Sequence, residues 1–214
     1  MRGSVEGTGF RKVITSESEL REVIGHPNQR VLDKVIDHLD AHCRAFISRS
    51  PFLLIASTDG AGQVDVSPKG DPPGFVQVLD ERTLAIPDRP GNRRLDTFRN
   101  VLRNPAIGLI FLIPGKRETL RVNGSALLVR DPDLLEGMAV NGRPAQLALV
   151  VRVEEAFFHC AKCMIRSRLW QPDAWPDLGG LASHAEVLVA HARLTQPVAE
   201  IQEVIERDAR ERLY

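Results

Sequence analysis

The chain lacks an excess of charge of either sign. Lys plus Arg and Asp plus Glu number 28 each, so no global field draws it to nucleic acid or to an acidic membrane surface. Any recognition of an anion must be local. No apolar run is long enough to cross a bilayer, and residues 1–7 contain no signal-peptide core, which makes the cytoplasm the expected compartment. Only three cysteines are present, Cys43, Cys160 and Cys163. They are too few and too unevenly placed for a secreted disulfide framework, and are expected as thiols. Internal repeats, low-complexity tracts and domain linkers are also missing.

What is present is enough apolar material for a core: 214 residues at 43% hydrophobic, the size of one domain with helical additions. Ser16 and Glu19 have capping-box spacing before Leu20, Val23 and Ile24, and Gly25 with Pro27 stops that helix. Val31, Leu32, Val35, Ile36, Leu39 and Cys43 recur at helical intervals and predict a second helix, with Asp33, Lys34, Asp37 and Asp40 largely toward water. The two helices are expected to cover one end of the structure built by the chain after residue 50.

From residue 51 the period changes to that of strands. Residues 52–57 enter a turn holding Gly60 and Gly62, and Val64 and Val66 alternate on the return. Residues 75–79 with 83–86, and 106–113 with 120–129, predict two further hairpins, and 147–158 a last long strand. Hairpin-linked strands with little helix between them predict an antiparallel barrel of six or seven strands, a mainly β fold with flanking helices. Leu95, Phe98 and Leu102 interrupt it with helical spacing, so a short helix is expected to begin at residues 92–94 and to end at Asn104-Pro105. Toward the end, Ser183 and Glu186 form a capping box, and Pro197 opens a helix with Val198, Ile201, Val204 and Ile205 on one face. Glu203 with Arg207 and Glu206 with Arg210 are expected to pair along it. This tail reads as packing structure, with a second subunit as its expected partner. The organisation expected is a helical extension over 1–50, a barrel domain over 51–172 and a second helical extension over 173–214.

Four islands carry the chemistry. They are Ser67-Pro68-Lys69-Gly70-Asp71, Gly91-Asn92-Arg93-Arg94, Glu118-Thr119-Leu120-Arg121-Val122-Asn123-Gly124, and Phe158-His159-Cys160-Ala161-Lys162 running on to Arg166-Ser167-Arg168-Leu169-Trp170. Each sets cations and small polar groups at the edge of an apolar strand, which suits a flat, phosphorylated ligand. Arg93 and Arg94, placed at a helix start, oppose the helix dipole unless an anion joins them, and Asn92 and Thr97 add neutral hydrogen bonds. On its own segment Lys69 reads first as a solvated turn lysine, with a cation at the barrel rim as the alternative. Thr119 and Arg121, two apart on a strand, share a face that meets either a polar ligand or water. Lys162, Arg166, Ser167 and Trp170 have the spacing of an amphipathic helix with an aromatic anchor.

In order and setting these islands resemble the FMN-binding split-barrel family that includes pyridoxamine 5'-phosphate oxidase. The likeness runs from about residue 51 to 172. It is greatest to bacterial members identified only as FMN-dependent, through Pro-Lys-Gly-Asp-Pro-Pro-Gly, Pro-Gly-Asn-Arg-Arg-Leu-Asp and His-Cys-Ala-Lys. The resemblance implies an antiparallel, Greek-key split β-barrel and a homodimer with FMN at the subunit interface. It implies that Arg93 and Arg94 hold the phosphate, to which Asn92 and Thr97 can add their hydrogen bonds, and that Lys69, between Ser67 and Gly70 at the end of the second strand, meets the isoalloxazine ring. Thr119 stands where the family often has a glutamine facing the flavin, with Arg121 beside it. Trp170, with Lys162, Arg166 and Ser167 nearby, is implied to reach the flavin from the other protomer.

The function implied is a cytoplasmic FMN-dependent oxidoreductase acting on a small organic substrate. A non-enzymatic flavin or haem binder and a deazaflavin-dependent reductase are the alternatives on the same scaffold. In pyridoxamine 5'-phosphate oxidases an Arg-x-His element holds the substrate, whereas this chain has Arg168-Leu169-Trp170-Gln171-Pro172-Asp173, so vitamin B6 phosphate is not implied. No metal site is expected: Cys160-Ala161-Lys162-Cys163 lacks a second CxxC. No catalytic residue is assigned, since the cofactor carries hydride chemistry and the protein orients it. His159, closing a strand, is read as structural.

Overall fold

The structure is a computed structural model that describes residues 9–214. The expectation made for residues 1–7 falls outside the described residues. Strands β1 (Phe52–Thr58), β2 (Val64–Gly70), β3 (Gln77–Val78), β4 (Thr83–Pro87), β5 (Ala106–Leu112), β6 (Thr119–Val129) and β7 (Ala148–His159) form one sheet in the order β2-β1-β5-β6-β7-β4-β3. Every pairing is antiparallel, and the three expected hairpins are present as β1–β2, β3–β4 and β5–β6. With its flanking helices this is the split-barrel architecture.

Alternation along the strands builds the core. Leu53 and Ile55 of β1, Leu109 and Phe111 of β5, Leu120 and Val122 of β6, Val151 and Val153 of β7, and Leu84 and Ile86 of β4 are all buried in one cluster, as the two-residue period of a strand requires. The long β6–β7 ladder carries a bulge at Asn123/Gly124. A Cβ at Gly124 would run into the Arg152 carbonyl, so only glycine lets the backbones approach there, and the added twist helps curl the sheet. β2 is an edge strand and tolerates Pro68, which has no N–H to give a ladder.

The helices depart further from expectation. α1 (Glu17–Ile24) is capped by Ser16 as its spacing predicts, yet it buries no residue. Instead of one helix through 31–43, a short α2 (Gln29–Asp33) stops, and Ile36 pairs with Ala156 of β7 through hydrogen bonds of 3.0 and 2.7 Å. Asp40 then caps α3 (Ala41–Ile47), its carboxylate accepting from Cys43 N at 2.8 Å. Sheet pairing and a new cap thus replace the continuous helix that periodicity favours. Of these N-terminal helices α3, with the preceding Leu39, plugs the core through Cys43, Phe46 and Ile47.

The expected strand over 75–79 shrinks to Gln77–Val78. α4 (Asp96–Arg103) packs Phe98 and Val101 inward, and Asn100 donates to Ser57 Oγ of β1 at 3.0 Å. α5 (Pro132–Gly137), which the residue pattern did not announce, buries Leu135 in a second small cluster with Ala85, Met138, Ala145 and Ala148. After α6 (Lys162–Ser167) and a 3-10 turn at Pro172–Ala174 come α7 (His184–Ala192), with the expected capping box, and α8 (Val198–Glu211). α8 buries no residue. Its expected Glu203–Arg207 and Glu206–Arg210 pairs are replaced by Gln202 Nε2 to Glu206 Oε1 (2.8 Å) and Arg212 Nη1 to Asp208 Oδ1 (3.0 Å).

Candidate functional site

A cavity of about 520 Å³ opens between β2, the loop after β4 and the start of α4. Asp65, Ser67 and Lys69 are alternate residues of β2 and therefore face it together. Asp88, Arg89 and residues 90–95 form its outer wall, Asp96, Thr97 and Phe98 its floor, and Gln146 and Arg212 complete the lining.

The loop is tightly wound. Arg93 and Leu95 both take left-handed backbone at φ 61°, and Asn92 Oδ1 accepts from the Arg94 amide at 3.0 Å. The expectation that Arg93 and Arg94 open the helix is corrected here, because α4 begins at Asp96 after the left-handed turn at Leu95. Leu95 offers no side-chain cap, so the first-turn amides of α4 have no side-chain acceptor. Arg94 is taken by the helix itself, its Nε 2.7 Å from Asp96 Oδ2. Among the described residues Arg93 makes no ion pair.

The other cations of the cavity are partnered. Arg89 Nε lies 2.6 Å from Asp71 Oδ2 and its Nη2 donates to the Met138 carbonyl at 2.9 Å. Lys69 Nζ is 3.9 Å from Asp88 Oδ1 and 5.5 Å from the centre of the Phe98 ring. Burial pushes the Asp88 carboxyl above its ordinary value, with Lys69 pulling the other way. The hydroxyls of Ser67 and Thr97 both lie within reach of Asp65 Oδ2, at 2.9 and 2.7 Å, and 3.0 Å from each other. Each carries one proton, so with both aimed at Asp65 the contact between them holds no hydrogen bond of its own.

Of the residues singled out in the sequence, Ser67, Lys69, Asn92, Arg93, Arg94 and Thr97 therefore share one cavity. Gly70 borders an adjoining hollow of about 350 Å³ that shares Ser67 and Lys69. Thr119, Arg121, Lys162, Arg166, Ser167 and Trp170 line neither. Thr119 is buried, and Arg121 pairs with Glu155 at 2.9 Å while its guanidinium stands 4.7 Å from the Phe157 ring. Ser167 Oγ donates to the Met164 carbonyl at 3.3 Å, and Trp170 Nε1 to the Lys116 carbonyl at 2.8 Å. Within a single chain these six residues stand apart from the cavity.

His159 Nε2 and Arg121 Nε are buried atoms without a hydrogen-bond partner among the described residues. Burial, then the charges of Arg121 and Lys34, hold the imidazole below its ordinary range. Cys43 sits in the core, away from the exposed Cys160 and Cys163, and no cluster of three metal-ligating side chains forms among the described residues. Sequence reasoning missed Asp65, Asp88, Arg89, Gln146 and Arg212. Asp65 was legible from its two-residue offset to Ser67; nothing local to Arg212 announces it.

A split barrel with a cationic loop over one rim defines the class to which this chain belongs. A family model described as pyridoxamine 5'-phosphate oxidase matches residues 39–160, more than half of the chain, and the chain is a member of that family. No curated protein matches it. Among solved structures, HupZ of Group A Streptococcus is similar at 18% identity and a TM-score of 0.45, over 56% of this chain and 92% of that one. An FMN-binding protein of Syntrophomonas wolfei is similar at 12% identity and a TM-score of 0.42, over 67% and 93%. HutZ, the heme storage protein of Vibrio cholerae, is similar at 14% and 0.38, over 56% and 93%.

Proposed function

We propose that the protein is a homodimeric flavoprotein that binds FMN non-covalently and serves as an oxidoreductase for a small organic substrate. One observation carries the reading: Arg93, an arginine without an ion-pair partner among the described residues, lines a cavity with Arg94, Lys69 and the side-chain-uncapped start of α4. That donor set suits a phosphate monoester, since guanidinium groups and first-turn amides are its usual partners. FMN, when bound, supplies hydride and single-electron transfer through its ring system. The chain's own residues bind and orient it. Arg93, Arg94, Asn92 and Thr97 take the phosphate, and the Lys69 ammonium, on the same face of β2 as Ser67, favours negative charge on the ring edge it meets.

Asp65 has a defined part in this reading. Its carboxylate holds the Ser67 and Thr97 hydroxyls, and for a phosphate to use Thr97 that hydroxyl must turn away from it. The second group of residues, Thr119, Arg121, Lys162, Arg166, Ser167 and Trp170, then belongs to the flavin of the other protomer. Cytoplasmic placement is part of the same proposal.

The test is ligand discrimination. Arg93→Ala with Arg94→Ala should weaken FMN about a hundredfold and leave riboflavin, which lacks the phosphate, nearly unchanged. Equal losses for both ligands would move the phosphate elsewhere. Purified protein that is colourless and also fails to take up added FMN would overturn the flavin reading, and FMN bound without NAD(P)H or substrate turnover would leave a binder in place of an enzyme.

A further inference from the structure

The segment after α8 folds back onto the wall of the cavity through contacts that a solvent-exposed tail does not need. The Tyr214 phenol donates to Asp71 Oδ1 at 2.8 Å, the carboxylate whose other oxygen takes Arg89 Nε. The main-chain oxygen of Tyr214 accepts from Arg143 Nη1 at 2.6 Å, and the Arg89 guanidinium stands 5.9 Å from the phenol ring. The Asp71 side chain is only 1% exposed, so the phenol docks on a carboxylate that is already fixed. α8 packs on α7 but buries no residue of its own, and these contacts tie the segment after it to the wall of the cavity.

Two residues before the docked phenol, Arg212 lines the main cavity together with Arg93 and Arg94. Its partner is Asp208 at 3.0 Å, one turn back on the same helix, with both side chains more than half exposed. Such an exposed pair is weak, and a dianion with charge-assisted bonds to offer outcompetes it.

We propose that Arg212 is a further binding residue for the anionic end of a phosphate monoester, and that Tyr214 is the positioning residue that holds it in the cavity wall. Residues 212–214 are then a strap across the site, an assignment resting on the reading of this cavity as a phosphate site. It also explains an otherwise idle arrangement: the strap is tied through Asp71 to Arg89, which lines the cavity beside the loop that carries Arg93.

The full chain is titrated with FMN and riboflavin as the parent, Arg212→Gln, Tyr214→Phe and the double variant, with Arg212→Lys as the conservative control. Arg212→Gln should weaken FMN about tenfold and leave riboflavin unchanged, with Arg212→Lys recovering part of the loss. Tyr214→Phe should weaken FMN by a smaller factor and cost nothing further once Arg212 is gone, because a positioning residue acts only through the group it positions. Unchanged FMN affinity in Arg212→Gln overturns the strap and leaves the flavin reading standing, and additive losses in the double variant remove Tyr214 from it. If the parent binds no FMN, the flavin reading falls and inorganic phosphate decides the strap alone. Thermal stabilisation by phosphate that Arg212→Gln loses supports it; equal stabilisation of both proteins overturns it.

Discussion

Replacing Arg89 by methionine should strand a buried charge. The Asp71 side chain is 1% exposed and that of Arg89 16%, with Nε and Oδ2 2.6 Å apart. After Arg89→Met, Asp71 keeps the Tyr214 phenol as its side-chain donor, and the Met138 carbonyl loses the Nη2–H it accepts at 2.9 Å. Removing one partner of a buried pair costs about 3–5 kcal/mol, because the charge left behind is neither paired nor hydrated. For a chain of this size that is a fall in Tm of roughly 6–20 °C. Replacing both partners is much less costly, since no charge is stranded. Urea unfolding of ligand-free protein at neutral pH should therefore show a large loss for Arg89→Met and recovery of most of it in Asp71→Asn with Arg89→Met. A loss below about 1 kcal/mol for the single variant would mean that water reaches the carboxylate. Equal losses in the two variants would place the cost in the Met138 bond and the packing, and would refute the reasoning from charge.

Gly124→Ala should destabilise by about 1–3 kcal/mol or more, since its Cβ meets the Arg152 carbonyl across the bulge, and denaturant unfolding reads the change. In the native protein Cys160 and Cys163 should react with a thiol reagent at about pH 8, while Cys43, whose thiol burial pushes up to about 12, should react only on unfolding. Three thiols reacting in one fast phase would take Cys43 out of the core. His159 should make the fold acid-sensitive. Its imidazole lies below the ordinary 6.5 in the folded chain, so as pH falls through that value the unfolded chain binds the proton first and stability present at neutral pH is lost. His159→Gln should flatten stability between about pH 7 and 5, and slopes as steep as the parent's would show that this histidine does not set them.

The strands were legible because their pattern is local. Leu120 and Val122, alternating with Thr119 and Arg121, declare one face of a strand by period alone, whatever they pack against. Caps are local too, and Ser16, Ser183 and Glu186 act within their own turn. The helix expected over 31–43 failed for the opposite reason. Its apolar spacing is sound, but Ile36 finds its hydrogen bonds on Ala156, a partner that no window around residue 36 contains. The left-handed turn that delays α4 to Asp96 was likewise invisible, because Arg93 and Leu95 are residue types that rarely adopt it.

The residue order by itself determined which segments are strands, where the hairpins turn, and that cations gather at a few strand ends, since dihedral preference and side-chain alternation act between neighbours. The tertiary structure alone decided which of those cations share a cavity, that Arg89 is held by a buried Asp71, and that Arg212 returns from the far end of the chain to the loop at 91–94. Those outcomes depend on sheet order and on hydrogen bonds between residues remote in sequence, which exist only once the sheet has assembled.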